Sequence, residues 1–96
     1  MPIVNLEWLT AGPIRQGLRD PVRGHGISNE DVDIGSGEAS ATAPSGAEEV
    51  RICPDVDIRY ELDGTTATAT SGIRLAVDQV EHRKVTAGAS VSFVQE

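Results

Sequence analysis

Val56, Ile58, Tyr60 and Leu62 recur at every second residue, with Asp57, Arg59 and Glu61 between them. A period of two sends successive side chains to opposite faces of an extended chain, so one face is apolar and the other charged. The run ends at Asp63-Gly64, a pair that tolerates the positive φ of a type I′ turn and therefore predicts a hairpin. Thr65–Thr70 then returns, Ser71-Gly72 turns again, and Ile73–Val77 runs outward once more. The expectation is a β-meander with the rest of the chain laid around it.

From Glu49 onward the same grammar continues. Val50–Cys53, Val56–Leu62, Thr65–Thr70, Ile73–Val77, Val80–Val85 and Val91–Val94 are strand candidates, punctuated by Pro54-Asp55, Asp63-Gly64, Ser71-Gly72, Asp78-Gln79 and Ala87-Gly88-Ala89. Residues 47–96 therefore read as a compact all-β domain, a small antiparallel β-sandwich or barrel of about six short strands. Ile73, Leu75 and Val77 are expected on one dry face, and Val85, Val91 and Phe93 close the core. Glu81, Arg83 and Lys84 mark their strand as solvent-facing or as an edge. Cys53 is the single cysteine, so no internal disulfide forms; it is expected as a small, buried apolar strand residue, with an intersubunit disulfide as the alternative.

Residues 1–46 read differently, as an extended, Gly/Pro-rich N-terminal arm followed by a Gly/Ser-rich loop. Val4, Leu6 and Trp8 share one side of an extended segment and form a candidate partner-binding face. The alternative is that Trp8 packs in the domain's own core. Gly12-Pro13, Gly17, Asp20-Pro21, Gly24 and Gly26 rule against a helix from Thr10 to Gly26, since an interior proline costs about 3 kcal/mol. Arg15, Arg19 and Arg23 then lie on an irregular arm, either solvated or docked on an acidic partner surface. Val32 and Ile34 offer a short edge strand and Ala39–Ala43 a second weak one; no large apolar residue lies between Ile34 and Val50.

The 96 residues hold one Phe, one Tyr and one Trp, and much of the 39% apolar content is alanine. Such a core is thin, and a chain this short buries little more than about 60% of its unfolded surface. Stability borrowed from neighbouring subunits is the expected remedy. A net charge of −7 argues against nucleic acid and against an anionic membrane surface. Without a basic n-region or an apolar run of spanning length, synthesis and assembly in a cytoplasm are expected.

Tests for chemistry end without a catalytic candidate, so no enzyme and no cofactor are expected. Counted from Asn29, the sixth and twelfth positions of a calcium loop hold Ile34 and Ser40 rather than Gly and Glu. A looser oxygen site from Asp31, Asp33 and Glu38 stays open beside a solvated acidic loop. Asp55 and Asp57 share a strand face with Arg59, as an ordinary charge row does. His25 and His82 have no companions at metal-ligand spacing. Ser36, in Gly35-Ser36-Gly37, lacks a nucleophile elbow.

One resemblance goes further. Glu49-Val50-Arg51-Ile52, the alternating Val56–Leu62, Thr66-Ala67-Thr68-Ala69-Thr70, Ile73-Arg74-Leu75 followed by Glu81, and Val85-Thr86-Ala87-Gly88-Ala89-Ser90-Val91-Ser92-Phe93-Val94 together resemble small proteins encoded near the major capsid gene of tailed phages. The likeness spans residues 49–95 and is with the capsid decoration, or cement, class. It implies a structural virion protein on the capsid outer surface, binding the major capsid protein as a homotrimer and stabilising contacts between capsomers. His82-Arg83-Lys84 departs from the apolar or aromatic residues expected there. Other virion β modules (head fibre, head–tail joining or tail-tip subunit) and a free-standing ligand-binding sandwich remain the alternatives.

Overall fold

In Ile-Val-Asn-Leu-Glu-Trp-Leu, apolar and polar residues alternate, and the segment forms β1 (Ile3–Leu9), with Val4, Leu6 and Trp8 fully buried. The computed structural model describes residues 2–10, 14–15, 18–19, 26–68 and 70–96. Among these residues the remaining elements are all strands: β2 (Ile14–Arg15), β3 (Leu18–Arg19), β4 (Gly26–Asp33), β5 (Ala39–Thr42), β6 (Glu49–Pro54), β7 (Ile58–Glu61), β8 (Ile73–Leu75), β9 (Glu81–Lys84) and β10 (Ser90–Gln95).

Eight of these strands make two four-stranded antiparallel sheets, ordered β4-β1-β6-β9 and β5-β10-β7-β8. The third pairing is β2 with β3 alone, inside the connection from β1 to β4. From β4 to β10 every connection crosses between the large sheets except β7–β8, a jelly-roll-like order in which β1 enters beside β4. The all-β expectation holds, and the sandwich alternative is the one realised.

The two inner faces meet in one cluster that includes Val4, Leu6, Trp8, Val50, Ile52, Ile58, Tyr60, Leu75, Val91 and Phe93. All three aromatic side chains are fully buried. The Tyr60 and Phe93 rings, opposite each other on β7 and β10, lie 6.3 Å apart at a tilt of 39°. Where aromatics run out, Ala41, Ala43 and Ala47 fill the core with small volume. At about 25 cal/mol per Å² such residues contribute little each, so Trp8, Tyr60 and Phe93 supply a disproportionate share of the burial energy.

Several sequence expectations need correction. The boundary at residue 46 does not divide an arm from a domain, because β1, β4 and β5 are strands of the two sheets and β1 is central in one of them. A strand flanked on both sides has its backbone satisfied and its apolar face covered, which is why Val4, Leu6 and Trp8 sit in the chain's own core. The Asp63-Gly64 turn has the expected geometry, with φ of 58° and 84° and the Thr65 N–H donating to the Leu62 carbonyl. Its sequel differs. The described residues of Thr65–Thr70 form no strand, and β8 takes the place beside β7.

That segment instead lies across the outward side of β10. Gly64 N–H donates to Ser90 O, and Ala67 N–H donates to Ser92 Oγ at 2.9 Å. Val77 is exposed rather than core, because β8 ends at Leu75 and the chain turns through Asp78 at φ 64°; Val80, beyond that turn, is exposed as well. Cys53 is half-buried on the outward face of β6, out of step with Val50 and Ile52, so it is not a core residue.

Candidate functional site

Tyr60 carries the most perturbed titratable group among the described residues. Its hydroxyl leaves the core at edge strand β9, donates to Glu81 Oε1 and accepts from Arg83 Nη1 at 3.2 Å. Arg83 also lies over the ring, its guanidinium carbon 5.9 Å from the centroid. Burial first, then the Glu81 hydrogen bond and charge, push the phenol up to about 12; Arg83 opposes them. A phenol held neutral in this way is a structural bridge between the sheets, since Tyr60 is on β7 of one sheet and its partners Glu81 and Arg83 are on β9 of the other. Register explains the arrangement: Glu81 pairs with Ile52 and Arg83 with Val50, both inward-facing, while His82 and Lys84 point out.

The outward residues of β9 border an open groove of about 840 Å³ at the end of the sandwich where β6 begins. Its walls are the Gly46–Glu49 segment, Asp63 and the stretch His82–Ala87. Within it, His82 Nδ1 lies 2.9 Å from Glu49 Oε2. Arg83 and Lys84 line it together with His82 and the acidic Glu48, Glu49 and Asp63, so the lining is of mixed charge and suited to contact with another polar surface.

At the opposite end, the carboxylates noted in the sequence serve loop architecture. Asp55 Oδ1 accepts from Ile3 N–H at 2.7 Å, and Asp57 Oδ1 accepts from Val77 N–H at 2.9 Å. Glu96 spans Arg59 and Arg74, which raises the Arg74 guanidinium above its ordinary value. The proposed oxygen site disperses. Asp31 accepts from Asn5, Asp33 from Gly35 N–H, and Glu38 from buried Ser92 at 2.6 Å. Among the described residues no three His, Cys, Asp or Glu side chains converge on a metal position.

The residues marked for partner binding are thus separated. Val4, Leu6 and Trp8 are core; Trp8 Nε1–H donates to Glu30 Oε2 at 2.9 Å, which satisfies the indole at the rim. Arg15 and Arg19 fall on the small β2–β3 pairing, in register opposite Leu18 and Ile14. Arg23 and His25 lie outside the described residues.

The edge strand expected at Val32 and Ile34 is far longer than its apolar pair suggests: β4 runs for eight residues from Gly26 to Asp33. Ser28 to Asp31 and Asp33 are exposed along it, and among the described residues nothing pairs with its outer side. Glu30, Asp31 and Asp33 have no Lys, Arg or His in ion-pair range among the described residues. The missed signal was parity: Val32 and Ile34 are in phase with Glu30 and Ser28, not with the acids at 31 and 33.

No family model, no curated protein and no solved structure matches this chain.

Proposed function

We propose that the chain is a capsid decoration subunit, a structural virion protein that binds the outer surface of a phage head and stabilises contacts between capsomers. The observation that carries this reading is where the resemblance falls. Residues 49–95 span β6 through β10, five consecutive strands that contribute to both sheets and carry much of the shared core. Its partners are the major capsid protein and further copies of itself, as a homotrimer, in the virion after assembly in the host cytoplasm.

The physical basis is passive bridging. A small rigid sandwich with polar, exposed outer features makes modest individual contacts, and symmetry multiplies them, because linked binding events gain effective concentration. Outward pressure on the shell is then resisted wherever one subunit touches two capsomers.

The test is co-sedimentation of the purified chain with tailed-phage heads from the genome that encodes it. Saturable binding, at a fixed ratio to capsid protein, is the expected outcome. Binding confined to connector or tail fractions points instead to a head–tail joining or tail-tip module. Absence of binding to any virion fraction overturns the proposal.

A further inference from the structure

We propose that residues 77–80 of one copy seat in the groove at the far end of the next, so that copies of this chain join end to end. The contact is separate from both the capsid surface and the trimer of the proposed function.

The connection from β8 to β9 is five residues long, and all five are exposed. Among the described residues the exposed large apolar side chains are Ile27, Val77 and Val80, and two of these stand in this one connection. A single exposed apolar residue is ordinary, but a pair on a rigid support is a preformed knob. The support here is a closed set of hydrogen bonds. Val77 N–H donates to Asp57 Oδ1 at 2.9 Å and Asp78 N–H to the Pro54 carbonyl at 2.9 Å. Gln79 N–H donates to the Ala76 carbonyl at 3.1 Å, and Ala76 N–H to Gln79 Oε1 at 3.2 Å. Four consecutive backbone donors are thus satisfied, and little conformational freedom is left to lose on binding.

The groove of about 840 Å³ supplies a socket of matching character. Ala47, Val85 and Ala87 give it apolar lining, and exposed Lys84 stands among its charges. Glu49 is held by His82 inside it, and Arg83 is engaged with Glu81 and the Tyr60 hydroxyl. Seating the knob sets Val77 and Val80 against the apolar lining and Asp78 against Lys84.

Charge favours this pairing over the symmetric ones. Asp55, Asp57 and Asp78 are exposed around the knob, while Arg74 beside them is tied to Glu96. Two knobs meeting would oppose carboxylates to carboxylates, which costs affinity. Knob and socket also lie at opposite ends of the sandwich: β9 begins opposite Ile52, next to the knob, and ends with Lys84 opposite Glu49. Such a contact is heterologous, so it extends copies in a row unless its rotation closes a ring.

The experiment is a nitrogen–proton NMR dilution series of the full chain, since a contact this small is expected to hold free copies together only towards about 1 mM. Signals of residues 76–80, 46–49 and 82–87 should shift together with one dissociation constant. Val77→Ser with Val80→Ser should weaken association at least about tenfold, and Lys84→Glu with Ala87→Glu by a similar factor. These sites are exposed, and the spectrum itself verifies folding; a variant that unfolds is replaced by Val77→Thr with Val80→Thr, or by Lys84→Gln alone. Because the surfaces differ, an equimolar mixture of the two double variants retains one intact knob and one intact socket. It should form a one-to-one dimer. Absence of shifts, shifts confined to other surfaces, indifference to both double variants, or no association in the mixture would each overturn the contact. End-to-end association without head binding overturns the capsid reading alone, whereas head binding by copies that show none of these shifts overturns this contact alone.

Discussion

Replacing Tyr60 separates the two roles that the structure gives it. The ring is fully buried, tilted against Phe93 and covered by Arg83. Truncation to alanine leaves a cavity at the centre of the β5-β10-β7-β8 sheet, and losses for buried aromatics run at about 3–5 kcal/mol. Tyr60→Phe keeps the ring and removes only the bridge to Glu81 and Arg83. Hydrogen bonds to charged partners are worth about 1.5–3 kcal/mol. Here Glu81 and Arg83 side chains are each 36% exposed, so water can replace part of what the hydroxyl gave. The expected loss is therefore about 1–2 kcal/mol. Urea unfolding monitored by Trp8 fluorescence reads both, with the slope m checked for constancy. A Tyr60→Ala loss below about 1 kcal/mol would refute the placement of the ring in the core. Equal losses in the two variants would refute the division between packing and bridge.

Four further outcomes follow from the same geometry. The phenol keeps its proton up to about 12 when folded, against about 10 unfolded, so the stability it confers is fully present below pH 10 and is lost as pH rises towards 12. The fall should be roughly 1–2 kcal/mol after allowing for solvent screening near Glu81, absent in Tyr60→Phe, and titration of this single tyrosine by ultraviolet difference absorbance gives the midpoint. Gly72→Ala should cost about 1–3 kcal/mol in thermal unfolding, since a Cβ there meets the Tyr60 carbonyl oxygen at 3.0 Å and φ is +113°. Gly88→Ala, at φ +87° with open space, should cost only about 1 kcal/mol, so a larger loss there contradicts the steric reasoning. Deleting residues 1–26 removes the central strand β1, and the remainder should show no cooperative unfolding transition; a well-folded remnant would contradict β1's place in the sheet.

Period-two patterning made the fold class legible because a strand between a dry and a wet face writes its geometry directly into residue type. It worked for Ile58 and Tyr60, for Val91 and Phe93, and for Val4, Leu6 and Trp8 as an extended run. What the pattern does not carry is which strand neighbours which. Val4, Leu6 and Trp8 read equally well as an arm that docks by its apolar side, and only pairing with β4 and β6 turns them into core. Thr65–Thr70 has strand-like composition, yet its short side chains suit a segment laid flat over Ser92, where Ala67 is nearly inaccessible. The Tyr60–Glu81–Arg83 bridge was hidden for the same reason. Glu81 and Arg83 look like any solvent-facing charges until the register with Ile52 and Val50 aims them inward. The edge strand expected at Val32 and Ile34 was read as short because Gly/Ser/Ala-rich text follows it, whereas β4 extends back to Gly26.

Differential scanning calorimetry of phage heads, stripped of this polypeptide and then replenished with it, tests most directly whether it reinforces a shell. Replenished heads should melt at a higher temperature than stripped ones, with the gain levelling off as sites fill. Identical melting at full occupancy would show that the subunit rides on the particle without strengthening it, and the cement role would be wrong.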